Sequence, residues 1–104
     1  MPSPSSLRCL HIVFPAALEE TVCAALVEGQ WSLPFTLLRS EGHSQDFVTV
    51  STEERVRGRV ARRVLLMVQP DDTIRAVIAT LRARVRSKNV VWWTTRIEDF
   101  GRLT

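Results

Sequence analysis

A chain of 104 residues, 45% of them hydrophobic, suits one domain and not two, because domains cluster at about 100 to 150 residues. Its two cysteines, Cys9 and Cys23, are too few for a disulfide-built domain and favour a reducing, cytoplasmic setting. The net charge of +3, from thirteen arginines and one lysine, permits an anionic partner without requiring nucleic acid. No apolar run approaches the roughly 20 residues that a membrane-spanning helix needs.

The N-terminal third predicts a strand followed by a helix. Residues 1–6 hold prolines and serines and are interpreted as a disordered leader before a single domain, 7–104. Apolar alternation from Leu7 to Phe14 predicts the first strand. Apolar residues then recur at helical spacing after Pro15, which suits a first helical turn, and Gly29 is the predicted helix end.

A second strand, a long loop and a third strand are predicted in the middle of the chain. Phe35 to Arg39 predicts the strand, and the polar stretch from Ser40 to Arg59 predicts a functional loop, because structureless loops of this length are uncommon in compact domains. The alternation from Val60 to Val68 predicts the third strand.

The C-terminal part predicts a helix and a last strand. Pro70 to Thr73 has the composition of a turn and cap, with aspartates able to accept the first helical amides. Apolar residues at helical spacing extend to Val85, and Lys88 with Asn89 marks the break. Val90 to Thr95 then predicts the fourth strand, and Arg96 to Thr104 an irregular tail.

This element order predicts an α+β, ferredoxin-like βαββαβ sandwich. In that plan both helices cover the same face of the sheet. Residues 65–68 and 90–93 are nevertheless apolar at successive positions, which is typical of strands buried on both faces. The sequence therefore predicts that a second copy of the chain covers the open face.

Several strings resemble the family known as domain of unknown function 3240, within the PII-like superfamily. They are Leu10-His-Ile-Val-Phe-Pro15 with Ala17-Leu18-Glu19-Glu20, the pair Gly42-His43, the residues Glu54, Val56, Gly58 and Arg59, and Trp93 with Gly101-Arg102-Leu103. The resemblance spans nearly the whole chain.

The resemblance implies a trimeric signalling protein whose sheets pack inward. The loop 40–59 would be the regulatory arm called the T-loop, and clefts between subunits would hold a small effector, often an adenine nucleotide. The T-loop would contact a partner such as a membrane transporter through Gly42, His43, Phe47 and Glu54. The chain contains no tyrosine, which excludes the uridylylation known from nitrogen-regulating PII proteins.

An anion site is predicted where the loop meets the third strand. Arg57, Gly58, Arg59 and Arg62 are its candidate residues, with Arg63 beside them. Planar guanidinium groups suit phosphate or carboxylate, and a glycine allows close approach of the backbone. The alternative is a solvated arginine edge that pairs with the loop's own glutamates.

Two further functions stay open. His43 with Glu41 and Asp46 supplies ligands that borderline metals accept, which would make the chain a metal-responsive module of the cation-tolerance type that serves metal efflux. A basic nucleic-acid adaptor is the third reading, although Trp92 and Trp93 are adjacent and must face opposite ways. No catalytic motif of recognised spacing occurs, so the sequence predicts no enzyme.

Overall fold

The computed structural model describes residues 6–28, 33–42 and 60–104. Within these ranges one four-stranded sheet packs against two helices. The elements are β1 Leu7–Pro15, α1 Glu19–Glu28, β2 Thr36–Gly42, β3 Val60–Pro70, α2 Asp71–Arg84 and β4 Val91–Arg96, with a 3-10 turn at Ala16–Leu18 before α1. The predicted irregular tail is confirmed for residues 97–104.

The sheet order is β2-β3-β1-β4, and each neighbouring pair is antiparallel. This order places the first and third strands at the centre and the second and fourth at the edges. It is the order of a split βαβ plan, so the predicted ferredoxin-like fold is confirmed.

The pairing of β1 with β3 determines which side chains share a face. It runs from Leu7 opposite Pro70 to Pro15 opposite Arg62, and β4 pairs with the other edge of β1 from Arg8 to Val13. Because side chains alternate along a strand, this register divides the sheet residues into a face under the helices and an open face.

The core lies between the helices and one face of the sheet. Leu10, Ile12 and Phe14 of β1 lie there beside Leu65 and Met67 of β3, all of them buried. The helices contribute the remaining core residues, Val22, Ala25, Leu26, Ile74, Val77, Ile78 and Leu81. The apolar periodicity that predicted both helices therefore marks the sides that face the sheet.

The start of α2 depends on its aspartates. The helix begins directly at Asp71, where carboxylates meet the positive end of the helix dipole. Asp72 Oδ1 accepts a hydrogen bond of 2.8 Å from the Thr73 amide, and Asp71 Oδ2 accepts one of 2.9 Å from Arg75 Nε. An aspartate thus accepts one first-turn amide, as predicted, but the predicted turn and cap are wrong: Pro70 ends β3, stands at the cap position and makes no side-chain cap hydrogen bond.

The second strand extends further than predicted. It covers Thr36–Gly42, so Ser40, Glu41 and Gly42 belong to the sheet and not to the loop predicted from Ser40 onward. The reason is tertiary, because β3 supplies partners for them, with Ser40 opposite Arg62. Residues 43–59, the rest of the predicted T-loop, lie outside the described residues, as do residues 1–5 of the predicted leader and Gly29.

Replacing a central core residue should destabilise the fold strongly. Leu65 on β3 is fully buried, and Leu65→Ala should lower the free energy of unfolding by about 2–5 kcal/mol, because it removes apolar contacts and leaves a cavity. Urea unfolding at fixed protein concentration measures this loss. Val27→Ala is the control, since Val27 is 74% exposed and its loss should cost under about 0.5 kcal/mol. Equal midpoints for both variants would contradict this packing.

Candidate functional site

The open face of the sheet is apolar and uncovered. All four strands contribute to it. Its apolar residues are Cys9, Val13, Leu38, Val64, Leu66, Val68, Val91 and Trp93, with His11, Thr36 and Thr95 among them. Leu38, Val91 and Trp93 keep 45%, 53% and 45% of their surface exposed. A continuous apolar surface of this kind is uncommon on a monomer and makes this face a candidate interaction site.

His11 and Trp93 form a stacked pair on the open face. They lie opposite each other on β1 and β4, with ring centroids 5.0 Å apart and planes inclined by 6°. His11 Nε2 also lies 3.3 Å from Thr95 Oγ1, within hydrogen-bond distance. These contacts hold the indole against the sheet.

Trp92 points to the opposite face from Trp93, as the alternation predicts. It lies opposite the buried Ile12 on the helix side, where the Arg82 Cζ is 5.6 Å from the centre of its ring. That distance is within the range of a cation–π contact. Because only Trp93 lies on the open face, the two residues cannot form one aromatic platform for stacked bases.

Both cysteines are half-buried and free. Burial raises the pKa of the Cys9 thiol, partly offset by a backbone hydrogen bond from Met67. Burial raises the pKa of Cys23 as well, with a further contribution from the charge of Glu19. Since the thiolate is the reactive form, both positions are weak nucleophiles at neutral pH.

Arg62 lies at the polar end of the open face, where β2 and β3 lead into residues 43–59. Its side chain crosses Gly42, so a Cβ added there would coincide with the guanidinium group. Burial lowers the pKa of Arg62, because a buried cation loses hydration. Because glycine has no side chain, Gly42 leaves room for the partly buried guanidinium group of Arg62 to pack against the backbone.

Arg63 has a different role from its neighbour. It points to the helix face, where its Nε donates a 2.6 Å hydrogen bond to Glu19 Oε1 and forms an ion pair. The pair ties β3 to the start of α1. The sequence placed Arg62 and Arg63 in one cluster, and strand alternation separates them onto opposite faces of the sheet.

Most of the other predicted site residues lie outside the described part of the chain. These are Arg57, Gly58 and Arg59 of the anion site, His43, Phe47 and Glu54 of the partner site, and Asp46 of the metal site. Glu41 is exposed on β2. Within residues 6–28, 33–42 and 60–104, no three His, Cys, Asp or Glu side chains group to hold a metal ion.

The family model for "Protein of unknown function (DUF3240)" matches residues 4–104, nearly the entire chain. The chain belongs to the DUF3240 family. No curated protein matches it.

Solved structures resemble this DUF3240 chain at low sequence identity. A DUF3240 family protein from Shewanella baltica OS155 has a TM-score of 0.74 and 15% identity, over 96% of this chain and 99% of that one. PII from Arabidopsis thaliana, bound to citrate, has a TM-score of 0.70 and 17% identity over 95% and 84%. CPII, a nitrogen regulatory PII-like protein from Thiomonas intermedia K12 bound to ADP, AMP and bicarbonate, has a TM-score of 0.67 and 14% identity. That alignment covers 92% of this chain and 93% of CPII.

These similarities show that the DUF3240 chain has a PII-like fold, as its sequence strings predicted. At such low identity they establish the shared fold and not a shared ligand. In the described ranges no helix has the length and apolar character to cross a membrane.

Replacing Gly42 should move Arg62 without unfolding the sheet. Gly42→Ala puts a methyl group where the guanidinium lies, and the flexible arginine should swing away because β2 and β3 are held by their backbone pairing. The Arg62 Nε–H resonance in a nitrogen–proton correlation spectrum should shift. The free energy of unfolding should change by about 1 kcal/mol or less.

Gly101→Ala is the matched control for Gly42→Ala, because a Cβ at Gly101 meets nothing within 4 Å. It should leave the Arg62 resonance in place. An Arg62 resonance that also stays in place in Gly42→Ala would contradict the described packing.

Proposed function

We propose that this DUF3240 protein is a trimeric, non-enzymatic regulatory protein that binds a small anionic effector at clefts between subunits and engages a partner through the T-loop. The observation that carries the proposal is the uncovered apolar face of the sheet, which ends at Arg62 beside the base of that loop. The two parts of this surface support the two halves of the proposal.

The apolar part supports self-association. Val64, Leu66 and Val68 lie on the open face of a central strand, and the edge strands add exposed Leu38 and Val91. Burying this area between copies would release about 25 cal/mol for each Å² of apolar surface removed from water. Inward packing of three sheets places the same face of every subunit at the centre.

The polar part supports anion binding. Arg62 sits over Gly42, and a desolvated guanidinium interacts with carboxylate or phosphate more strongly than a fully hydrated one. PII bound to citrate and CPII bound to ADP, AMP and bicarbonate carry anions on the same fold. An anionic effector beside Arg62 would touch the base of the T-loop, so it could favour one arrangement of the loop over another.

In the proposed mechanism, Arg57, Gly58 and Arg59 at the exit of the loop complete the anion site with Arg62. Gly42, His43, Phe47 and Glu54 provide the partner contact. The effector changes the population of loop states by its different affinity for each state. The metal site at His43, Glu41 and Asp46 and the nucleic-acid reading stay predictions, since no observation on the described residues favours them.

A charge on the open face should break the trimer. Leu38→Glu places a carboxylate where another sheet would pack, and burying an unpaired charge costs several kcal/mol. Sedimentation equilibrium should give three chain masses for the native protein and one for Leu38→Glu. Val27→Glu is the control, because Val27 is exposed on α1 away from this face, and it should remain trimeric. A native protein of one chain mass would refute the trimer.

Removing the Arg62 charge should abolish anion binding. Thermal unfolding of the native protein should shift upward with citrate, ADP or bicarbonate, since a ligand at 100 times its dissociation constant adds about 2.7 kcal/mol. Arg62→Gln should lose the shift. Arg75→Gln removes a charge from an exposed position on α2 and should keep the shift. Equal shifts in both variants would move the site away from Arg62.

A further inference from the structure

A cleft of about 180 Å³ opens between α2 and β4 on the helix side of the sheet. Its walls are mainly apolar, and its lining residues are Ile12, Val22, Ile78, Leu81, Arg82, Val85, Ser87, Val90 and Trp92. An apolar cavity of roughly 150 Å³ accommodates a benzene ring. The cleft is therefore large enough for one aromatic side chain.

The rim of the cleft is cationic. Arg82 lies over the Trp92 ring, and among the described residues no carboxylate forms an ion pair with it. Arg86 and Lys88 follow after the end of α2 and are also exposed. An occupant that combines an aromatic ring with a neighbouring carboxylate would complement both the walls and the rim.

The tail of the same chain presents this combination. Phe100 is 61% exposed and Leu103 is fully exposed, although both are large apolar side chains. Glu98 and Asp99 come directly before Phe100 and are also exposed. The tail therefore carries an exposed aromatic ring beside two carboxylates, the combination that suits the size and charge of the cleft.

In this structure the tail does not fill the cleft of its own molecule, since none of residues 97–104 lines it. It leaves the sheet after Arg96, which lies opposite Arg8 at the start of β1, whereas Ser87 and Val90 lie at the other end of β4. That end is about 20 Å away over six strand residues. Four residues from Arg96 to Phe100 span at most about 14 Å. Even if the chain reversed direction at Arg96, the tail would therefore reach back no further than Trp92 and not to Ser87 or Val90.

We infer that Phe100 of one copy docks in the α2–β4 cleft of a neighbouring copy, with Asp99 beside Arg82 at the rim. A tail-to-cleft contact joins two different surfaces, so it propagates in one direction and closes only in a ring. Closure at three copies rests on the proposed trimer. The contact adds a residue from each subunit to a cleft that is incomplete without it.

Disulfide trapping between two forms of the full chain tests the contact. In a background with Cys9→Ala and Cys23→Ala, one form carries Phe100→Cys and the other Ser87→Cys. Mixed and oxidised, they should give a crosslinked pair in high yield. Ala83→Cys, at an exposed α2 position outside the cleft, is the matched control in place of Ser87→Cys and should give little product.

A charge exchange tests the rim. Arg82→Glu in the Ser87→Cys form should reduce the crosslink severalfold, and Asp99→Arg in the Phe100→Cys form should restore it. Failure of the exchange to restore the crosslink would overturn the Asp99–Arg82 contact. A chain carrying both cysteines that closes only within itself would overturn docking between copies.

Hydrogen exchange provides a readout that needs no cysteine changes. Phe100→Ala in the native chain should increase deuterium uptake in residues 81–92, and Val27→Ala should not. Unchanged uptake together with no crosslink would overturn the inference. Sedimentation of the native chain distinguishes this failure from failure of the proposed function. If the native chain is trimeric but the cysteine pair gives no crosslink, the proposed trimer stands and only the tail contact is refuted.

Discussion

β1 and β3 pair along the whole length of β1 at the centre of the sheet, and both strands are apolar on their two sides. Leu10, Ile12 and Leu65 face the helices and are buried, whereas Val13 and Val64 face the other way. Two helices can cover only one side. This pairing therefore buries one face of the sheet under the helices and leaves the other face uncovered, which is the physical basis for the proposed self-association.

The same register also places the charges. Because adjacent residues of a strand alternate, Arg63 turns inward to Glu19 at 2.6 Å, and Arg62 turns outward across Gly42. One arginine fastens β3 to α1, and its neighbour remains at the end of the apolar face. A one-residue shift of β3 would exchange these roles and expose Leu65. The architecture and the candidate site are thus consequences of a single strand register.

The strands and helices were predictable because each has its own apolar period, as in Ile74, Val77 and Leu81 of α2. The end of β2 was not, since Ser40 to Gly42 have no strand-like composition and become a strand only by pairing with β3. The placement of Arg62 and Arg63 on opposite faces of the sheet could be predicted from strand alternation alone. The Arg62–Gly42 packing was not, because it depends on two strands that are distant in sequence.

Three regions lie near the same end of the molecule: the Arg62–Gly42 packing, the start of β4 and the cleft between α2 and β4. Arg62 and Gly42 lie where β2 and β3 lead into residues 43–59, and β4 begins opposite Val13 near the same end of β1. The cleft under Trp92 opens beside that end, between α2 and β4. A neighbouring subunit that contributes its tail there would lie close to the base of the proposed T-loop, so occupancy of the proposed anion site and the proposed contact between subunits would depend on the same backbone. Coupling between them would then follow from shared strands and would need no separate mechanism.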